Sequence, residues 1–252
     1  MADSEVLQHF STRADEYGRT SSWVTDDAIT SATLSLMKVR PGQSILDAGC
    51  GTASVLVSAL KRFEGVGRCV ALDAASKMLD RIEDPRITGC VGDICAMPLP
   101  DGLFDVAVCR QVLHYVASIN SAFYELKRVL RTHGALVIGQ IVPFDDEDAD
   151  YWFRIVRLRQ PVRKHCITVN DLLKAMLDTS FNVARVCEVR GRESLRSWFN
   201  RYPPTVAAAQ EIRQLFKEAP TSFKETRNIE VVGDDILFEN CWTFIRGVKT
   251  GE

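Results

Sequence analysis

The sequence lacks several features that mark specialised classes of protein. No apolar run approaches the roughly 20 residues that a membrane-spanning helix needs, and the opening MADSEVLQHF lacks the basic-then-apolar order of a secretory signal. The net charge of −2 and the pI near 6.1 give no sign of a polyanionic partner. We therefore expect a cytoplasmic protein with no membrane span and no nucleic-acid partner, and the oligomeric state stays open between monomer and homodimer.

A CxxC pair is also absent. The closest two of the eight cysteines, Cys90 and Cys95, are five residues apart. Most cysteines lie in apolar runs such as RCVALD and VAVCRQV, which favours reduced, buried thiols and no metal site. The alternative is a thiol-based metalloid site, which requires two or three of these sulfur atoms to converge.

What the sequence does contain is a regular alternation of strand-like and helix-like segments. The strand-like segments are SILDAG, RCVALDA, RITGCVGD, FDVAVCR and HGALVIGQIV, with FNVARVCEVR and DILFENCWTFIRGVK towards the end. Nearly continuous apolar strands that alternate with helices predict an α/β fold, in which helices cover both faces of a parallel sheet.

We expect a single domain over residues 1–252. Residues 1–40 are interpreted as an N-terminal helical cap, residues 42–142 as the ligand-binding core, and residues 143–252 as a substrate-covering insertion after the fifth strand together with the last strands. Predicted helix caps are Asp26 and Asn120, and Asn170 or Asp171 is expected near the start of a later helix.

The segment SILDAGCGTAS holds the first candidate site. Gly49 and Gly51 fit the GxGxxG fingerprint of dinucleotide-binding domains, but Ser54 occupies the third position. Asp47 would repel a pyrophosphate and suits a ligand with a positive charge, whereas the start of the following helix favours an anionic group. Methionine, with its ammonium and carboxylate, satisfies both demands. A purely structural turn is the alternative.

Two further acids follow the next two strands. Asp73 lies 22 residues beyond Gly51, where an acidic residue can accept hydrogen bonds from ribose hydroxyls. Asp93 could bind an adenine amino group, with Ile94 and Met97 as an apolar wall. The alternatives are a solvated strand end for Asp73 and a helix cap for Asp93. Together the acids favour a positively charged nucleoside that carries an amino acid.

The motifs ILDAGCGTA, VALDAASKML, GDICAMPLP, FDVAVCRQVLHYV and LKRVLRTHGALVI, over residues 44–142, resemble the class I S-adenosylmethionine-dependent methyltransferases. Within this class the sequence resembles the small-molecule group that includes quinone-biosynthesis C-methyltransferases. The resemblance implies a Rossmann-like, seven-stranded, mostly parallel sheet. It also implies an enzyme (EC 2.1.1) that transfers the methyl group of S-adenosyl-L-methionine to an O, C or N atom of a metabolite and releases S-adenosyl-L-homocysteine. The segment FSTRADEYGRTSSWV is similar to this group's N-terminal cap.

The resemblance also implies the residues that bind the cofactor. They are Asp47, Gly49, Cys50 and Gly51 for the methionine end, Asp73, Ala74 and Met78 for the ribose and adenosine, Gly92, Asp93 and Ile94 for the adenine, and Arg110 and Gln111 beside the transferred methyl. The family usually has glycine where Ala53 stands. We expect this change to be mild, because alanine is tolerated early in a helix.

Methyl transfer needs a base only if the nucleophile carries a proton. His114 is the candidate base, because it follows the fourth strand near the expected methyl and histidine titrates near neutral pH. A packed or capping histidine is the alternative. Tyr115 could instead supply an acid or part of the substrate wall.

The substrate candidates are Tyr17, Trp23, Tyr115, Tyr151, Arg159 and His165. Tyr151 opens an aromatic cluster of a kind that belongs more often to a core than to a ligand wall. The basic run of Arg154, Arg157, Arg159, Arg163, Lys164 and His165 is either a solvated helix face or faces the substrate. In the second case it favours an acidic or phosphorylated small molecule.

Other functions share the same cofactor core. A methyltransferase that acts on protein or RNA is disfavoured by the acidic pI and by CRQV where an Asn-Pro-Pro-Tyr-type motif would stand. A nonmethylating or noncatalytic S-adenosylmethionine-binding protein remains an alternative.

Overall fold

The computed structural model describes residues 3–15, 17 and 26–251. The helices in this part of the chain are α1 (Ser4–Arg13), α2 (Asp27–Met37), α3 (Ser54–Arg62), α4 (Ser76–Leu79), α5 (Ile119–Val129), α6 (Asp146–Arg159), α7 (Val169–Asp178), α8 (Leu195–Arg201), α9 (Val206–Glu218) and α10 (Thr221–Thr226). The strands are β1 (Ile45–Ala48), β2 (Cys69–Asp73), β3 (Ile87–Val91), β4 (Phe104–Arg110), β5 (Leu130–Val142), β6 (Phe181–Ser194), β7 (Glu230–Val232) and β8 (Asp235–Lys249).

The strands form one sheet in the order β3-β2-β1-β4-β5-β8-β6. Strands β1 to β5 run parallel to one another, and β8 lies antiparallel between β5 and β6. The predicted Rossmann-like, mostly parallel sheet is confirmed. The described residues add an eighth, three-residue strand, β7, which pairs with β8. The chain order reverses between β1 and β4, and open α/β sheets bind ligands at such a switch point.

The core strands are buried because helices cover both faces of the sheet. All four residues of β1 are buried. Leu46 packs into a cluster with Phe123 of α5 on one face, whereas Ile45 packs into a cluster with Leu56 of α3 on the other. Alternate residues of one short strand therefore anchor two cores, which fits its continuous apolar run.

The helices beyond β5 fall into two groups separated by β6. Helices α6 and α7 precede β6, and α8 to α10 follow it. The sequence analysis predicted a substrate-covering insertion after the fifth strand, and the helices of this region lie on both sides of β6 in the chain. Helices α6, α8, α9 and α10 share an apolar cluster that includes Trp152, Trp198 and Phe216. No helix in the described part of the chain is long and apolar enough to cross a bilayer.

Helix caps show where local sequence rules held. Asp26 caps α2 as predicted, through hydrogen bonds from the backbone N–H groups of Ala28 and Ile29. The predicted cap of α5 was wrong. Ser118 caps α5, because it has the extended backbone of an N-cap and Asn120 already lies inside the helix. Asn170 and Asp171 lie at the start of α7 as predicted, and Thr168 caps that helix.

Candidate active site

A pocket of about 760 Å³ lies at the carboxyl ends of β1 to β4. Predicted cofactor residues that line it are Gly49, Gly51, Asp73, Ala74, Gly92, Asp93, Ile94, Arg110 and Gln111. Val6, Leu7 and Phe10 of α1, with Tyr17, contribute a further part of the wall. Helix α1 therefore forms part of the pocket wall.

Three of the predicted cofactor residues do not line this pocket. Asp47 is only 2% exposed, and its Oδ2 has no hydrogen-bond partner among the described residues. Burial raises the pKa of Asp47 to about 7, against the lowering effect of Arg110. Cys50 is buried with its Sγ donating to the Gly51 carbonyl, and Met78 packs beneath the pocket. These three residues lie behind the wall.

Glycine is required at two points where the chain passes the pocket. Gly49 has a φ of +76°, and a Cβ there would lie 2.3 Å from Cγ2 of Val112. A Cβ on Gly92 would lie 2.5 Å from Cδ of Pro98. Side chains at these positions would occupy space that neighbouring side chains already fill, so the backbone itself forms the wall.

Ala53 is more strained than the sequence analysis expected. It lies at the N-cap of α3 with a φ of 59° and a ψ of 29°, and its side chain makes no capping hydrogen bond. The expectation of a mild change was wrong, because the residue precedes the helix in a left-handed conformation that favours glycine.

Asp73 joins the end of β2 to the glycine turn. Its Oδ2 accepts a hydrogen bond from the Gly51 N–H at 2.8 Å, and its Oδ1 accepts one from the Ala75 N–H at 2.9 Å. Burial raises the pKa of Asp73, and these backbone donors oppose the rise. Each carboxylate oxygen can accept a second hydrogen bond, which suits a ligand hydroxyl. Asp93, on the same wall, accepts from the Cys95 N–H at 2.9 Å.

Arg110 and Gln111 lie at the end of β4. The Arg110 Nη2 donates to Ser54 Oγ at 3.2 Å, and burial lowers the pKa of this guanidinium, which nevertheless stays protonated. Gln111 has a left-handed backbone conformation, with a φ of 58°. Its N–H donates to the Gly139 carbonyl at 2.9 Å. Backbone strain of this kind concentrates at functional sites.

A second cavity of about 1230 Å³ adjoins the first. Both are lined by Phe10, Tyr17, Gln111 and Tyr115. The structure thus places Tyr17 and Tyr115 at the boundary between the two spaces. The predicted residues His114 and Arg159 also line the second cavity.

Other predicted substrate residues lie elsewhere. The Tyr151 hydroxyl donates to the Leu215 carbonyl at 2.7 Å, inside the helical cluster. His165 Nε2 is 2.9 Å from the Val116 carbonyl. Neither Tyr151 nor His165 lines the second cavity. Trp23 lies outside the described residues.

His114 is held in one tautomer by Gln140. The Gln140 Nε2 is 2.9 Å from His114 Nδ1 and 3.1 Å from the Ile141 carbonyl. Because a carbonyl only accepts, this nitrogen is a donor to both, so the ring proton is assigned to Nε2. Burial, followed by the charge of Arg163, lowers the pKa of His114 well below its ordinary value. The ring is therefore neutral at pH 7.

His114 is only 2% exposed, and its Nε2 has no hydrogen-bond partner among the described residues. The second cavity consequently has a neutral N–H donor in its wall. Sequence reasoning missed Gln140, because it is one residue of a long apolar strand and no motif marks it. It also missed Trp198 and Asn240, which come to this cavity from distant parts of the chain.

All eight cysteines are free thiols, and within the described ranges no three His, Cys, Asp or Glu side chains come together as metal ligands.

Comparison with known proteins supports the resemblance to methyltransferases that the sequence motifs indicated. Residues 46–138 match the family described as a methyltransferase domain. This segment of the chain is therefore similar to a methyltransferase domain. The matched segment includes the glycine turn and the ends of β2, β3 and β4, and so includes most of the first pocket.

The chain has relatives in sequence and in structure. Demethylmenaquinone methyltransferase of Mycobacterium marinum is 32% identical over 107 residues, which cover 42% of this chain and 45% of that protein. The YcgJ protein of Bacillus subtilis has a TM-score of 0.82 at 18% identity, over 88% of this chain and 98% of that one. The geranyl diphosphate C-methyltransferase of Streptomyces coelicolor, solved with S-adenosyl-L-homocysteine, has a TM-score of 0.62 at 14% identity, over 88% and 76% of the two chains.

The structural and the sequence comparisons support different conclusions. The two structural ones establish the fold. The chain spans between 39% and 58% of the length of the first curated relatives it matches.

Proposed function

We propose that this protein is an S-adenosylmethionine-dependent methyltransferase that acts on a small-molecule acceptor. The observation that carries the proposal is the pair of adjoining cavities. One lies over the strand ends and has carboxylates and an arginine in its wall, and the other meets it at Gln111 and Tyr115. A donor site and an acceptor site that share a boundary are what a transfer between two small molecules requires.

The residues of the first pocket fit S-adenosylmethionine. Asp73 would accept hydrogen bonds from the ribose hydroxyls, and Asp93 would accept one from the adenine amino group. The guanidinium of Arg110 would hold the methionine carboxylate. Asp47 lies behind the wall, so its contribution to the methionine ammonium would be electrostatic. When bound, the cofactor supplies an electrophilic methyl on a sulfonium.

The protein's own contribution is to exclude water and to align the acceptor. Helix α1 closes the pocket, and its position is held by contacts at both ends. Asp3 pairs with Lys164 at 2.8 Å, and the ring of Phe10 packs edge-on against Tyr115 with centroids 5.0 Å apart. These contacts tie α1 to the segment that borders the second cavity, so both ligands would be enclosed together.

We infer that His114 donates a hydrogen bond to the acceptor. Removal of a proton by Nε2, as the sequence analysis predicted, requires the other tautomer and a turned Gln140 amide. A turned amide would place its oxygen against the Ile141 carbonyl, which is unfavourable. The tautomer supports a donor that orients the acceptor or stabilises charge on it.

Substitution at position 114 distinguishes a donor from a base. His114→Gln keeps an N–H donor but removes a base in the useful pH range, whereas His114→Ala removes both. If His114 is a donor, the glutamine variant keeps most of the turnover and the alanine variant loses about 10-fold or more. If both variants lose the same activity and the rate no longer rises with pH, His114 is the base.

Cofactor binding tests the first pocket. Isothermal titration with S-adenosylhomocysteine should show one site, and Asp73→Ala should weaken binding by about 10-fold or more, because hydrogen bonds to a carboxylate are lost. Asp178→Ala, on the exposed face of α7, is the matched control and should bind normally. Equal affinity of the two variants would show that Asp73 does not hold the ribose.

Turnover tests the reaction itself. Release of S-adenosylhomocysteine should depend on an added metabolite, and a product heavier by one methylene should appear in the mass spectrum. Cofactor binding without turnover on a broad panel would favour the noncatalytic alternative. Turnover on protein or RNA alone would favour the macromolecular one.

The finer assignments of place and assembly are also proposals. We propose a cytoplasmic location, which the eight free cysteines support because such thiols persist in reducing compartments. A monomer or a homodimer, with no nucleic-acid partner, is in keeping with the nearly neutral charge of the chain.

A further inference from the structure

The second cavity is strongly basic. Six arginines line it, against two carboxylates, those of Asp26 and Glu193. Two of the arginines have partners, because Arg201 pairs with Glu193 and Arg192 pairs with Glu230. The remaining arginines are Arg13, Arg159, Arg163 and Arg190, and none of them has a carboxylate partner in the described part of the chain.

Arg159 is the most unusual of these four. It is 9% exposed, its Nη2 donates to the Trp198 carbonyl at 2.7 Å, and its guanidinium lies 4.2 Å from the centroid of the Trp198 ring. Its Nε has no hydrogen-bond partner among the described residues. An arginine keeps its proton in proteins, and a buried charge without a counter-charge is strongly destabilising. The folded protein therefore holds a cation that still needs an anion.

Arg163 is a second cation beside the same space. Its Nε donates to Gln160 Oε1 at 2.8 Å, and the same oxygen accepts a hydrogen bond from the Tyr115 hydroxyl at 3.2 Å. This chain of hydrogen bonds orients Arg163 from the boundary with the first pocket. The charges of Arg163 and Arg201 act together with burial to lower the pKa of Arg159. Several guanidinium groups thus repel one another, and an anion between them would relieve the repulsion.

Large aromatic rings form a further part of the cavity wall. Trp152, Trp198 and Trp242 come from α6, α8 and β8. Large aromatic rings favour contact with a planar or apolar body. Two polar donors also line the cavity, His114 and Gln111, and Gln111 lines the first pocket as well.

We propose that this cavity binds a methyl acceptor that carries an oxyanion, a carboxylate or a phosphate, on an aromatic or apolar body, with Arg159 and Arg163 holding the anion. The proposal deepens the proposed function and rests on it. Planar guanidinium groups match the oxygens of either anion in bidentate fashion. The anion fixes one end of the acceptor, and the other end reaches the boundary at Gln111 and Tyr115.

Three probes of similar shape test this. Benzoate, phenyl phosphate and neutral benzamide are each titrated into protein saturated with S-adenosylhomocysteine, and binding is followed by ligand-observed NMR. At least one anion should bind about 10-fold more tightly than benzamide. Preference for phenyl phosphate would indicate a phosphate acceptor, and preference for benzoate a carboxylate; either result supports the proposal. Equal binding of all three, or no binding of either anion at ~10 mM, would overturn it.

Variants locate the anion. Arg159→Gln and Arg163→Gln should each weaken binding of the preferred anion by about 10-fold and leave benzamide unchanged. Arg154→Gln, an exposed arginine of α6 that pairs with Glu211, removes the same charge and should bind as the unmodified protein does. If all three variants bind alike, the anion lies elsewhere. Circular dichroism checks folding, and Arg163→Gln decides the matter if Arg159→Gln does not fold.

The two proposals fail in different ways. If S-adenosylhomocysteine does not bind, the proposed function fails before any probe is added. If S-adenosylhomocysteine binds but the probes show no preference for an anion, only the proposed substrate class is wrong.

Discussion

Replacing Gly49 by alanine should destabilise the protein more than the same substitution at a left-handed glycine that has free space around it. A non-glycine residue in the left-handed region costs about 1–2 kcal/mol. At Gly49 the added Cβ would also lie 2.3 Å from Cγ2 and 2.8 Å from Cγ1 of Val112, and overpacking of this kind costs about 1–3 kcal/mol. The sum predicts a loss of about 2–5 kcal/mol in the free energy of unfolding.

Gly42→Ala is the matched control. Gly42 has a φ of +82°, close to the +76° of Gly49, but nothing lies within 4 Å of a Cβ built there. Its loss should therefore be limited to the conformational part, about 1–2 kcal/mol. Urea denaturation measures both variants, and comparable m-values show that the folded states remain compact.

Val112 provides the decisive test. If the clash is real, Val112→Ala should destabilise the Gly49→Ala protein less than it destabilises the original one, which a double-mutant cycle measures as coupling. Gly49→Ala should also weaken S-adenosylhomocysteine binding, because a displaced Val112 lines the first pocket. Equal destabilisation by Gly49→Ala and Gly42→Ala, with strict additivity to Val112→Ala, would refute the reasoning.

Three further predictions concern strain and buried charge. The pKa of Asp47 rises from its usual 3.8 to about 7 on folding, so the protein should lose stability as the pH rises from 4 to 7. Asp47→Asn should flatten this pH dependence of the free energy of unfolding in urea titrations, and an unchanged pH dependence would contradict the pKa shift. Ala53→Gly should raise the free energy of unfolding by about 1 kcal/mol, because it relieves a left-handed alanine, and a lower melting temperature would contradict this. Asp148→Ala should lower the free energy of unfolding, measured by chemical denaturation, by about 3–5 kcal/mol, since it leaves the fully buried Arg227 without its bidentate partner. A loss below about 1 kcal/mol would contradict a structural role for this ion pair.

The sheet and the first pocket could be predicted because their signals are local. A short apolar strand followed by a glycine turn is a continuous segment, and parallel strands necessarily end at one edge of the sheet. Asp73 and Asp93 could therefore be placed near Gly51 without coordinates. Asp47 shows the limit of this reasoning, because its position next to the turn did not reveal that its side chain is buried behind the wall.

The second cavity could not be predicted in the same way. Its residues come from the segment after β4 and from α1, α2, β5, α6, β6, α8 and β8, which packing alone brings together. The basic run after Trp152 illustrates the difficulty. The run includes Arg159, which is buried in the cavity wall, and Arg154, which is exposed and pairs with Glu211. Sequence spacing does not separate these two, since the choice depends on which helices and strands cover α6.

The sequence by itself determined the order of strands and helices, the glycine turn and the carboxylates that follow the strands, because each depends on residues close together in the chain. Only the tertiary structure decided the tautomer of His114, which depends on Gln140 in a neighbouring strand. It also decided which arginines lose contact with water and keep an unmatched charge. Both outcomes depend on long-range packing, and the proposed choice of acceptor rests on that packing.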